Sequence, residues 1–447
     1  MKPQLPDFAG RRVVVMGLGH FGGGIAAARW LCAAGARVTV TDLAGADRLA
    51  ASLEQLRDLP ITYRLGGHDP ADLEGCDLLV VSPAVPRERS EFLRLAIERG
   101  VPLSSEMNLF LERCPVRRVI GVTGTAGKST TTAMIGSILQ SAVRAGLARR
   151  AWTGGNIGHS LLGDLPAMSP EDLMVLELSS FQLEDLAALA WSPPRAVITN
   201  IRPNHLDRHG TLENYAAAKL NLVRHQSPDD VVIIPAGDAE LRSRLERAGA
   251  GPRVREAVFD PAFAEAVHPP GPHNRVNAAL AIAAARSWGL PDDVIRAGLD
   301  GFAGLPHRLE FVASRDGVRW YNDSKSTTPE STRLAIDAFE EPVIVLVGGA
   351  DKGMSFAELG EYMALKARAV IGYGAMGPTI LEAVRRHVPP GTADIRAAAS
   401  LEEAERIARG LAVPGDVVVL SPACTSYDMF ANYEERGEVF RRLVRAD

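Results

Sequence analysis

The chain has 447 residues, 46% hydrophobic and 23% charged, and its 49 basic and 54 acidic side chains leave a net charge of -5. That length exceeds one ordinary hydrophobic core and predicts about three domains, while the mild negative charge excludes a surface built to coat nucleic acid and points to small-molecule partners. No apolar run reaches the length of a membrane span, and Met1-Lys2-Pro3-Gln4-Leu5-Pro6-Asp7 shows no apolar core before a cleavage site, so a cytoplasmic protein is expected.

Strand-length apolar runs alternate with helix-patterned stretches nearly end to end, the signature of an α/β protein with parallel sheets covered by helices. In the first segment, a strand at Arg12 to Met16 leads into Gly17-Leu18-Gly19-His20-Phe21-Gly22. An Ala-rich helix follows, then a strand ending in Asp42. Strand, GxGxxG, helix, strand and an acid about 20 residues on form a nucleotide-binding fingerprint, with Asp42 placed to meet a ribose hydroxyl. Alone, it predicts a nicotinamide-dependent redox protein. Cys32, Cys76, Cys114 and Cys424 form no CxxC pair and read as buried thiols.

The second segment starts near Asn108. Its apolar strand Arg118-Val119-Ile120 runs into Gly121-Val122-Thr123-Gly124-Thr125-Ala126-Gly127-Lys128-Ser129-Thr130. Such a turn presents backbone N-H groups to phosphate oxygens, Lys128 adds a point charge, and the Ser129 hydroxyl suits Mg2+. The general pattern expects glycine at position 122; this chain has Val122 there and Gly124 instead. A strand from Leu173 to Leu178 carries Glu177, where a Mg2+-holding carboxylate belongs. A strand from Ala196 to Ile201 leads to His205 and Asp207 beyond the sheet, and another spans Val231 to Ile234. Lys219 sits in an apolar helix, where its residue type alone reads as an exposed lysine. Thr153-Gly154-Gly155-Asn156 reads as a flexible turn suited to a ligand or to the turn itself. A helix is expected from about Asn274 to Trp288.

The third segment follows Gly304-Leu305-Pro306-His307-Arg308, with strands at Val318 to Asn322, Val343 to Val347, Ala369 to Tyr373 and Val417 to Leu420. Three strand ends carry polar loops: Asn322-Asp323-Ser324-Lys325, with Thr328 as helix cap and Pro329 at the first helical position; Gly348-Gly349-Ala350-Asp351-Lys352; and Ser421-Pro422-Ala423-Cys424-Thr425-Ser426. Three such loops on one sheet edge predict a pocket for a small charged ligand.

Assembled in order, these motifs resemble the Mur ligases of peptidoglycan synthesis over essentially the whole chain. The carriers are Thr123 to Ser129, Leu176-Glu177-Leu178-Ser179-Ser180-Phe181-Gln182, Ala217-Ala218-Lys219-Leu220, His273-Asn274-Arg275-Val276-Asn277-Ala278, Gly304 to Arg308, Asn322 to Lys325 and Ser421 to Cys424. The resemblance implies a UDP-sugar-binding Rossmann-like domain over 1–107, a central ATP-binding P-loop domain over 108–304 and an amino-acid-binding Rossmann-like domain over 305–447. It implies ATP-dependent amide formation through an acyl phosphate, with UDP-N-acetylmuramoyl-L-alanine and D-glutamate as substrates, and a monomeric enzyme. The GxGxxG turn then holds UDP, since the same turn serves any pyrophosphate.

Carried over residue by residue, the resemblance assigns ATP to Gly124, Thr125, Gly127, Lys128, Ser129, Thr130, Asn277, Arg308 and Asp323. Lys128 stabilises the transferring phosphoryl group, and Lys325 lies near the same chemistry. One Mg2+ falls to Ser129 and Glu177; a second falls to His205 with a carbamylated Lys219. Gly19, His20, Phe21, Asp42, Ser82 and Asn156 fall to the UDP-sugar, and Thr327, Lys352, Ser426 and Tyr433 to the amino acid.

This chain departs from the family pattern at Ala126 (usually Asn), Asn204 (commonly acidic), Tyr427 (usually smaller and apolar) and Tyr433 (usually Phe). It also carries Leu43-Ala44-Gly45-Ala46 where polar and basic residues often grip uracil. A paralogue using another acceptor, such as L-glutamate, and the redox protein remain the competing readings.

Overall fold

The computed structural model describes residues 8–446 except 20, 21 and 389–392; the expectations for His20 and Phe21 therefore lie outside the described residues. Val, Ile and Leu runs buried on both faces build three sheets. The first is parallel, with β1 (Arg12–Met16), β2 (Arg37–Asp42), β3 (Thr62–Leu65), β4 (Leu78–Val81) and β5 (Leu103–Ser104) in the order β3-β2-β1-β4-β5. Val13 pairs with both Val38 and Leu78, so the chain reverses its winding at β1 and opens a crevice at the C-terminal ends of β1 and β4.

The second sheet is also parallel. It comprises β6 (Arg118–Thr123), β7 (Ala151–Gly155), β8 (Leu173–Glu177), β9 (Arg195–Ile198), β10 (Val231–Pro235) and β11 (Val254–Ala257), ordered β11-β10-β9-β6-β8-β7. β6 lies between β8 and β9. The glycine loop that ends β6 is thereby flanked by Glu177 at the end of β8 and by Thr199 and Asn200 just past β9. The third sheet holds β12 (Glu310–Arg315), β13 (Val318–Asn322), β14 (Val343–Gly348), β15 (Ala367–Tyr373), β16 (Asp394–Ala397) and β17 (Val417–Leu420), ordered β12-β13-β17-β14-β15-β16. Because β17 lies between β13 and β14, the polar loops after these three strands become neighbours.

The expected strands fall where the sequence places them, with shifted ends: β8 stops at Glu177 and β9 at Ile198, where the chain turns out of the sheet to form loops. The expected helix near Asn274 spans Pro272–Arg286. Thr328 caps the helix Pro329–Ile336 in a reciprocal box with Ser331, as expected. The third sheet is not purely parallel, since β12 and β13 form an antiparallel hairpin. Its turn residues Asp316 (φ 51°) and Gly317 (φ 76°) are both left-handed, the geometry that an Asp-Gly pair favours.

The chain divides into two compact units, 1–259 with 279–298, and 260–278 with 299–447. The first unit contains both all-parallel sheets, whose facing sides share one apolar core running from Phe8 and Val13 through Met107 and Phe110 to Leu176 and Val254. In the second unit, the two faces of the third sheet are covered separately, one around Val345 and Met363 and the other around Trp320 and Phe440. No helix among the described residues is long and apolar enough to cross a membrane.

Candidate active site

The glycine loop of the first unit is held from below. Gly124 takes φ 147°, and a Cβ there would lie 1.9 Å from Thr199 Oγ1, so only glycine fits. The Asn200 side chain clamps the peptide of Ala126 on both sides: Ala126 N donates to Asn200 Oδ1 (3.0 Å), and Asn200 Nδ2 donates to Ala126 O (3.1 Å). The loop's own side chain at 126 is thus dispensable for its shape. Gly127 (φ 85°) then starts the helix Lys128–Arg144. The first N-H groups of this helix have no intrahelical partners, and the helix dipole favours an anion there.

Two lysines meet at one carbonyl. Lys128 Nζ donates to Gly124 O (3.0 Å) and Thr125 O (2.9 Å), and Lys219 Nζ donates to the same Gly124 O (2.7 Å). Contrary to the plain reading of its residue type, Lys219 is buried, its ammonium 4.5 Å from the Tyr215 ring centroid. Burial first, then repulsion from Lys128, push its pKa down to about 7 against the pull of Glu177.

Glu177, also buried, has one oxygen accepting from Asn156 Nδ2 (2.9 Å), while its Oε2 is buried without a hydrogen-bond partner. Such an orphaned carboxylate oxygen is costly to bury and fits a hard cation. Among the described residues no three His, Cys, Asp or Glu side chains cluster as a self-sufficient metal site, so an ion at Glu177 and Ser129 needs phosphate oxygens and water to complete its shell. Asn156, assigned to the UDP-sugar by resemblance, lies on the Glu177 carboxylate.

His205 stands in a left-handed conformation (φ 52°), its ring 5.2 Å from Phe181 and 6.3 Å from Tyr215. Desolvation, joined by Lys128, Lys219 and His209, pushes its pKa down and favours the neutral imidazole that a metal requires. The sequence reading missed the supports behind it. Tyr215 donates from its hydroxyl to Thr125 Oγ1 (3.2 Å), tying the Lys219 helix to the phosphate loop. Buried His209 lies parallel to Phe181 and bridges Ser180 Oγ (3.1 Å) and Glu184 Oε1 (3.1 Å). The Tyr215-to-Lys219 spacing, one helical turn, was the available signal.

On the first sheet, a cavity of about 570 Å³ opens at the crevice between β1 and β4, lined by Gly17, Gly19, Asp42, His68, Ser82 and Arg89 among others. Asp42, on the wall of this cavity, has its carboxylate engaged by backbone amides. Its Oδ2 accepts from Leu18 N (2.8 Å) and Gly19 N (3.2 Å), and its Oδ1 from Ala44 N (2.8 Å), so the carboxylate braces the glycine turn itself. His68 accompanies it, with Nδ1 on Thr41 Oγ1 (2.8 Å) and its ring on Phe92. Two arginines join this sheet's loops to the second sheet: Arg87 pairs with Asp185, and Arg208, over the Phe181 ring at 3.9 Å, donates to Pro83 O.

The second unit carries the remaining candidates. Arg308 is flanked by left-handed His307 (φ 59°) and Leu309 (φ 43°), a local strain of the kind that collects at functional loops. Nearby, Asn277 Nδ2 donates to Asn274 Oδ1 (3.1 Å), and Arg308 acts on His273 to push its pKa down further than burial alone. Asp323 is buried, accepting from Leu309 N (3.1 Å) and Ser421 Oγ (2.8 Å); burial raises its pKa to about 6. In this arrangement it holds the Arg308 turn to the loop after β17. Lys325 is exposed, its ammonium 5.4 Å from the Tyr433 ring centroid. Thr327 is half-buried, Lys352 exposed and Ser426 buried, each on one of the three neighbouring loops.

Comparison with known proteins matches the three regions separately: the Mur ligase MurD-like N-terminal domain over residues 11–105, the Mur ligase middle domain over 122–257, and the Mur ligase glutamate ligase domain over 307–424. The UDP-N-acetylmuramoylalanine-D-glutamate ligase of Roseiflexus sp. is 39% identical, covering 98% of this chain and 99% of its own. The ligase of the same name from Anaeromyxobacter dehalogenans is 40% identical, covering 98% of each. Among solved structures, the UDP-N-acetylmuramate-alanine ligase of Thermotoga maritima aligns with a TM-score of 0.60 at 21% identity, over 97% of this chain and 99% of its own. The MurF ligase of Thermotoga maritima, solved in complex with ADP, aligns with a TM-score of 0.58 at 16% identity, over 99% of each. These two share the three-domain fold.

Replacing Gly124 with Ala should abolish thermal stabilisation by ADP, because the new Cβ displaces Thr199 or the loop. Tyr215→Phe removes one hydrogen bond, of about 1 kcal/mol, and should weaken ATP-dependent turnover without that collapse. Unchanged stabilisation by ADP in Gly124→Ala contradicts this loop as the nucleotide site.

Proposed function

The chain belongs to the Mur ligase family, and from that premise we propose that it joins D-glutamate to UDP-N-acetylmuramoyl-L-alanine, at the expense of ATP, in peptidoglycan precursor synthesis. The observation that carries the reading is the pair of lysines on the Gly124 carbonyl beside the orphaned Glu177 oxygen. Together they make a site for a transferring phosphoryl group rather than for a hydride.

A carboxylate is a poor acyl donor. Its oxygen attacks the γ-phosphate of ATP, ADP leaves, and the acyl phosphate so formed carries a good leaving group. The amine of D-glutamate then attacks the carbonyl carbon, loses a proton, and the tetrahedral intermediate collapses to the amide with release of phosphate. The loop N-H groups and Lys128 take up charge on the phosphoryl oxygens. Asn156 orients Glu177 through its amide.

Ser129 and Glu177 would hold one Mg2+, and His205 with Lys219 a second; bound there, the ions would neutralise phosphate charge. An ammonium cannot ligate a cation, so Lys219 would serve as its carbamate. The pKa near 7 leaves much of the amine unprotonated to react with CO2, and a carbamate would keep one N-H for the bond that Nζ now gives to Gly124 O. The first sheet, within 1–107, binds the UDP-sugar in the crevice beside Ser82; the central region 108–304 binds ATP; the region 305–447 brings the amino acid to Thr327, Lys352, Ser426 and Tyr433. Asn277, Arg308 and Asp323 serve the adenine nucleotide, and Lys325 the phosphate chemistry.

ADP should be released only when UDP-N-acetylmuramoyl-L-alanine and D-glutamate are both present. Equal turnover with L-glutamate would overturn the stereochemical assignment and favour the paralogue. Lys219→Ala should lower kcat by more than about 100-fold, with partial recovery on adding short carboxylates that replace the carbamate; wild-type activity in this variant excludes a carbamate role.

A further inference from the structure

Arg436, in the helix Tyr433–Arg445, is among the largest fully buried side chains of the protein, with 0% exposure. Among the described residues no carboxylate forms an ion pair with it. Its guanidinium is satisfied by neutral acceptors alone. Nε donates to Ser324 Oγ (2.9 Å), Nη2 to Ser324 O (2.8 Å), and Nη1 to Cys424 O (3.1 Å) and Thr425 O (3.2 Å). A buried charge without a counter-ion is strongly unfavourable, and its field and its fork of donors are the two things it can offer in return.

Both uses point to the same place. Ser324 belongs to the loop after β13, between Asp323 and Lys325; Cys424 and Thr425 belong to the loop after β17, next to Ser426. Thr425 O accepts from Ala350 N (2.8 Å) as well, which brings in the loop after β14 that carries Lys352. That loop is packed to its limit, since a Cβ on Gly349 would lie 2.2 Å from Thr425 O and 3.1 Å from Arg436 Nη1. One guanidinium thus ties together two of the loops proposed for the acceptor amino acid, and the third joins them through Thr425 O. Asp351 and Asp428 are the acids that act on the same cluster, and Asp428 is engaged by Ala375 N (2.9 Å).

We propose that Arg436 is the positioning residue of the amino-acid site: its buried fork fixes two of the loops directly and the third through Thr425, and its unpaired charge adds to the field that meets the carboxylates of the incoming acceptor. The inference rests on D-glutamate being that acceptor. A lysine keeps the charge and loses the fork; a methionine loses both.

Steady-state kinetics of Arg436→Met and Arg436→Lys test it, with melting temperature as the check on folding. Arg436→Met should raise KM for D-glutamate about tenfold or more while KM for ATP and for the nucleotide sugar stays within about twofold; Arg436→Lys should fall between it and the wild type. A KM for D-glutamate unchanged in folded Arg436→Met, or KM values for all three substrates rising together, overturns the proposal. Equal KM for D-glutamate in the two variants overturns the part assigned to charge. Should Arg436→Met not fold, Ser324→Ala removes the Nε acceptor and leaves the arginine. A rise in KM confined to D-glutamate supports the proposal there, and no rise overturns it. Wild-type protein that fails to use D-glutamate overturns the underlying reading instead, before any variant is compared.

Discussion

The site turns on a single carbonyl. Gly124 O receives the ammonium groups of both Lys128 and Lys219, and its residue can approach Thr199 so closely only because it lacks a Cβ. From that contact the surroundings follow. Burial, and then the like charge of Lys128 at the same acceptor, depress the pKa of Lys219, and Glu177 on the neighbouring strand supplies the opposing charge. Asn200 and Tyr215 hold the loop from the β9 side and from the Lys219 helix. The order β9-β6-β8 makes this possible, because it delivers Asn200, the glycine loop and Glu177 to adjacent strand ends.

A division of labour recurs in both units. Polar residues next to a candidate-site loop spend their hydrogen bonds on that region, while their neighbours face outward. Asp42 braces the first glycine turn, Asn156 aims Glu177, Asp323 fastens the Arg308 turn, and Arg436 joins the loops after β13 and β17. Loops built this way are ordered before a ligand arrives, which lowers the entropic cost of binding.

How much of this was legible in the sequence differs by level. Fully buried strands such as Leu173–Glu177 announce themselves as continuous apolar runs, and the order of motifs identified the family. What else a carboxylate does was not legible: Asp42 has the spacing of a ribose ligand, and spacing gives no sign that amides of its own loop also bond to it. The β12–β13 hairpin was missed although Asp316-Gly317 is a strong local signal, because its first strand, half-exposed Glu310–Arg315, shows no apolar run. Lys219 and Arg436 were opaque for a common reason. Both are charged residues in helices, where composition predicts solvent, and only tertiary packing buries them. The helix around Arg436, with four other arginine or glutamate neighbours in Glu434, Glu435, Glu438 and Arg441, looks like a solvated one.

The central claim is that the loop at Gly124 activates a carboxylate by phosphoryl transfer. Its most direct test uses UDP-N-acetylmuramoyl-L-alanine labelled with 18O in both oxygens of the alanine carboxylate, followed to the products by mass spectrometry. The account predicts that each turnover moves one labelled oxygen into inorganic phosphate and leaves the other in the new amide carbonyl. Phosphate free of label, with amide formed all the same, would contradict an acyl phosphate and with it the role assigned to the site.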